Sequence, residues 1–116
     1  MLRFLADECF NGDLYRAVLG RCPALDIVRA QDVGLGAKLD PDVLAWAAER
    51  GRLVLSHDVN ALVGFAYDRT RTHLSMPGVV EVSRTISIEA AVTDIIILAE
   101  CSREGEWEGQ VIYLPL

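Results

Sequence analysis

The chain has no apolar run near the roughly 20 residues that a membrane-spanning helix needs, which excludes a helical membrane protein. Its N-terminus shows neither the basic region nor the small-residue cleavage site of a signal peptide, so a cytoplasmic protein is expected. Cysteine is scarce and poorly spaced. Cys9, Cys22 and Cys101 form no CxxC pair, which argues against a zinc site or disulfide framework and for buried free thiols. Gly34 and Gly36 make neither a GxGxxG nor a P-loop, so nucleotide binding has no motif behind it. Ser56 lacks the flanking glycines of a hydrolase elbow, and acyl transfer is not expected. Positive charge is short too. The net charge of −6 weighs against a broad phosphate-binding surface. It does not exclude a nuclease, because a metal site collects carboxylates and offsets their charge. Repeats, low-complexity tracts and linkers are missing, which leaves one domain over residues 1–116.

What is present points to a packed core. Hydrophobic residues make up 52% of the chain. The stretch Arg52 to Asn60, RLVLSHDVN, organises the rest: Leu53, Val54 and Leu55 run unbroken into Ser56-His57-Asp58. Such a run, apolar on both faces, suits a strand covered on both sides of a parallel sheet. The spacing predicts a first strand over Met1 to Ala6, a helix from Asn11-Gly12-Asp13 to Gly20, and a second strand from Asp26 to Ala30. Gln31 to Leu39 reads as a loop. Asp40-Pro41-Asp42 reads as a helix start with Asp40 as N-cap, and Gly51 as the stop. Asn60 to Thr72 is open between helix and loop, because Gly64 interrupts the face of Leu62, Phe65 and Ala66. Val79 to Val82 reads as the fourth strand, Ser87 to Cys101 as a helix, and Val111 to Leu114 as the last strand. The expected fold is a three-layer α/β/α arrangement with a mainly parallel sheet of four to five strands.

Ligands of open α/β sheets bind beyond the carboxyl ends of the strands. Two strands of like character end there in acids, Asp7-Glu8 and Asp58. Asp7, Asp40 and Asp58 are therefore the candidate ligands, with Glu8, Asp32 and Asn60 as further ones. Hard cations such as Mg²⁺ or Mn²⁺ take oxygen ligands of this kind and assist phosphate chemistry. Each acid also suits a helix or turn cap, and at this stage cap and ligand stand level. His57 reads as a structural donor, with general base or ligand as the alternative. Arg69, Arg71 and His73 form the densest basic patch, and Arg69, Arg71 and His57 are the candidates for substrate contact. The final helix carries Ile97 and Leu98 as well as Ile95 and Ile96, so part of it is expected in a homo-oligomeric interface.

LADECFNGD near the N-terminus, QDVGLGAKLDPDVLAWAAERGRLVLSHDVN in the middle and the short C-terminal strand resemble the compact bacterial PIN-like domains. That family is similar to the PIN ribonucleases that act as toxins of toxin–antitoxin pairs. The resemblance implies a PIN-type fold, RNA hydrolysis at one or two Mg²⁺ or Mn²⁺ ions, and an antitoxin protein as partner. By the same resemblance Asp7 is the first-strand acid, Asp40 the acid opening the second helix and Asp58 the acid closing the third strand. Asp32 is implied beside them. A larger PIN domain has a fourth acid that finds no equivalent here, and Asn60 would offer a neutral oxygen in its place. A PIN-like interaction module without activity is the alternative.

Overall fold

The computed structural model describes residues 1–57 and 60–116, with Asn60 described by its backbone alone. Five short strands form a single sheet: β1 (Arg3–Ala6), β2 (Asp26–Arg29), β3 (Leu53–Ser56), β4 (Val79–Val82) and β5 (Val111–Leu114). Their order is β2-β1-β3-β4-β5, and every neighbouring pair is parallel. Four helices connect them: α1 (Gly12–Arg21), α2 (Asp40–Glu49), α3 (Asn60–Arg71) and α4 (Ile88–Cys101).

Strand alternation divides the core into two layers. Phe4, Ala6, Leu53, Leu55, Val80 and Val82 pack on one face against Leu14 and Val18 of α1 and Ile95 and Leu98 of α4. Leu5, Val54 and Val79 pack on the other against Leu44 and Ala47 of α2 and Leu62 and Ala66 of α3. Successive strand residues point to opposite faces, so an unbroken apolar run is what a sheet covered twice demands. The fold is α/β with three layers.

The topology gives α4 an unusual place. The β3–α3–β4 and β4–α4–β5 connections step the same way along the sheet, yet α3 and α4 lie on opposite faces. The two crossovers therefore have opposite hands, against the strong right-handed preference of such units. As a result α4 lies beside α1, and the two helices start next to each other at the carboxyl rim.

Local chemistry explains the boundaries. Asn11 caps α1, its side chain accepting from the Leu14 amide at 3.0 Å, and Ser87 caps α4 through the Ala90 amide at 3.1 Å. Gly51 follows α2 with φ +64°, the left-handed conformation that glycine adopts without strain at a helix end. Several expectations need correction. Asp40 is the first residue of α2 rather than its cap. Leu39 holds the cap position without a side-chain bond, and Pro41 still falls in the first turn. Helix α1 continues through Gly20 to Arg21, and Pro23 follows it closely. The segment left open between helix and loop is helical over Asn60–Arg71, since burial of Leu62 and Ala66 outweighs one exposed glycine, Gly64. The cysteines are not buried: Cys9 lies in the exposed turn after β1, Cys101 is exposed at the end of α4, and Cys22 is half-buried. Among the described residues no helix is long and apolar enough to cross a membrane.

Candidate functional site

From β1 the chain turns outward to β2, while β3 lies on the other flank of β1. The carboxyl ends of β1 and β3 thus form the switch point of the sheet, where a crevice opens for a ligand. Asp7 stands there. Its amide donates to the Leu55 carbonyl at 3.0 Å, which extends the β1–β3 ladder by one residue. Alternation carries Asp7 and Ser56 onto the face of Leu5 and Val54, where α2 begins with Asp40.

The Asp7 carboxyl is held above its ordinary pKa of 3.8, first of all by burial. The Ser56 hydroxyl, any positive charge on His57 and the Cys9 amide pull it down, and the Asp40 carboxylate pushes it up. Ser56 is completely buried. Oδ1 of Asp7 is buried and accepts no hydrogen bond from any described residue. Leaving a buried carboxylate oxygen unpaired is costly. An oxygen in that state beside a second carboxylate fits a hard divalent cation by its donor chemistry.

One residue further along β3, His57 turns to the opposite face. Its ring stacks on Phe10 at 4.9 Å between centroids and 7° between planes. The Asn11 amide donates to Nε2 at 3.1 Å, so Nε2 carries no proton. Nδ1 then donates to the Val82 carbonyl at 2.9 Å. Both ring nitrogens are thus engaged with backbone groups. His57 ties β3 to β4 and to the start of α1.

The other candidates are dispersed. Glu8 accepts from the Ala37 amide at 2.9 Å and so fastens the loop before α2 to the turn after β1. Asp32 lies beyond the edge strand β2 in an ion pair with Arg29 at 2.8 Å. Arg69 and Arg71 occupy the last turn of α3, which runs from the rim back to the amino edge of the sheet over about 18 Å. Arg69 donates to the Ser75 carbonyl at 2.9 Å, and Arg71 pairs with Asp68. Asp58 and the Asn60 side chain lie outside the described residues. Asp40 is close enough for its charge to act on Asp7, and among the described residues no group of three acids, histidines or cysteines could hold an ion.

Two features of the rim are announced by no motif. Ser56 faces Asp7, which strand alternation from Val54 makes legible. Arg84 lies two residues beyond the end of β4, and it lines a cavity of about 250 Å³ at the rim. No protein-family model, curated protein or solved structure matches the chain.

Proposed function

We propose that the chain is a metal-dependent ribonuclease of PIN-like type, the toxin of a toxin–antitoxin pair, acting in the cytoplasm. The buried Oδ1 of Asp7, unpaired among the described residues and within the influence of the Asp40 charge at the switch point, is the observation that carries this reading. Asp7 and Asp40 would hold Mg²⁺ or Mn²⁺, and Asp58 completes the set that the resemblance to PIN-like domains implies. When bound, the ion supplies Lewis-acid polarisation of a phosphodiester and makes water a stronger nucleophile. Ser56 positions the Asp7 carboxyl and favours its ionised form. Glu8 holds the loop that leads into Asp40. His57 fixes the β3–β4 rim. The partners in this reading are RNA, an antitoxin protein and a second copy of the chain, the last through exposed Ile97 on α4.

A catalytically inactive PIN-like interaction module is the second reading. Its support is that no group of three acids, histidines or cysteines among the described residues could hold a metal ion. Cleavage of labelled single-stranded RNA with Mn²⁺, and none with EDTA or in Asp7→Asn, supports the ribonuclease. Absence of both Mn²⁺ binding and cleavage of any RNA supports the module.

A further inference from the structure

The rim cavity of about 250 Å³ opens on the face opposite α2, beside the starts of α1 and α4. Ser83, Arg84 and His57 form its polar side, and Ile86 and Ile88 its apolar side. Cys9 joins it to the acid pair: it lines the cavity, and its amide bears on the Asp7 carboxyl. Cavity and carboxylates are therefore two halves of one rim.

Arg84 distinguishes this cavity from an ordinary surface hollow. Arg16, Arg29, Arg50, Arg52 and Arg71 are each paired with an acid. Arg21 donates to Thr93, and Arg69 to a carbonyl. Arg84 has no such partner among the described residues, and neither do Arg3 and Arg103. Those two line hollows that also hold Glu104, whereas the lining of the Arg84 cavity includes no acid among the described residues. A free guanidinium beside apolar wall residues suits a ligand with a phosphate at one end and a flat apolar ring at the other. A base reaches such a wall only when it is unstacked, which favours a single strand over a duplex.

We infer that the cavity receives one nucleotide of a single-stranded RNA, with Arg84 on its phosphate and Ile86 and Ile88 against its base. This deepens the ribonuclease reading by stating where the strand lies relative to Asp7. Asp7→Asn protein in EDTA allows binding to be measured apart from cleavage. The probe is the fluorescence anisotropy of a short labelled single-stranded RNA. Adding Arg84→Ala should weaken binding about ten-fold and lower the salt slope by about 0.7, as for one lost phosphate contact. Arg103→Ala removes the same charge at the amino edge and should change neither. With Asp7 intact and Mn²⁺ present, Arg84→Ala should raise KM more than it lowers kcat. Equal affinity with and without Arg84, an equal loss in Arg103→Ala, or a preference for duplex RNA overturns the inference. Absence of any RNA binding overturns it as well. Arg84-dependent binding without cleavage by the Asp7 protein would leave the inference standing and remove the ribonuclease reading alone.

Discussion

Asp7 and His57 follow neighbouring strands at the same rim, yet they have opposite polar circumstances. On the α1 side, His57 satisfies both ring nitrogens with backbone groups and stacks on Phe10. On the α2 side, Asp7 keeps a buried oxygen that no described residue satisfies. Folding alone explains His57, because each of its contacts stabilises the rim. It does not explain Asp7, whose ionised form is disfavoured by burial and by Asp40. A polar group with its partners satisfied reads as structure, and one left short reads as a place for a ligand.

The comparison breaks most readily at His57. His57→Ala removes the acceptor for Asn11, the donor for Val82 and the ring against Phe10, and should destabilise the fold by about 3 kcal/mol. Urea denaturation measures this, and a loss under about 0.5 kcal/mol would show that the His57 side is not the structural half.

Asp7→Asn should move stability the other way in metal-free protein. The folded-state pKa of Asp7 lies above its unfolded value, so the favourable contribution belongs to the protonated form. That contribution is complete below the ordinary value of 3.8 and is lost as pH rises through the raised one. Asn cannot ionise. The variant should therefore melt above wild type at neutral pH, with the gap closing towards acid. Thermal melts in EDTA across this range check it, and a wild type that melts higher at neutral pH would mean that ionised Asp7 already has a partner.

Asn11→Ala sharpens the same contrast with a smaller effect. It removes the cap of α1 while leaving its own amide to bond His57, so a loss of about 1 kcal/mol is expected. Chemical denaturation gives the figure. A loss equal to that of His57→Ala would place the structural role in the cap and not in the ring.

The strands were readable because the signals are local. Val79–Val82 and Val111–Leu114 are short apolar runs with turn residues before them, and both match their expected limits. Other features depend on partners far along the chain. Nothing in Glu8 itself announces that it will accept from Ala37, 29 residues away. Asp32 resembles Asp7 in sequence, but it follows an edge strand and has Arg29 three residues before it. Arg69 and Arg71 read as a basic patch, while the direction of α3 puts them at the amino edge. The opposite hand of the α4 crossover is a property of layer packing, and it brings Arg84 and the start of α4 to one cavity. Asp7 with Ser56 was the legible part of the site, since strand alternation alone puts them on one face.

The most direct test of the central claim is the Mn²⁺-dependent change in melting temperature of wild type against Asp7→Asn. A ligand at ten times its dissociation constant adds about 1.4 kcal/mol, or about 5 °C in a domain of this size. Wild type should gain that shift on adding Mn²⁺ and lose it with EDTA, while Asp7→Asn should gain none. An equal shift in both proteins, or no shift in wild type, would contradict the assignment of Asp7 as a metal ligand.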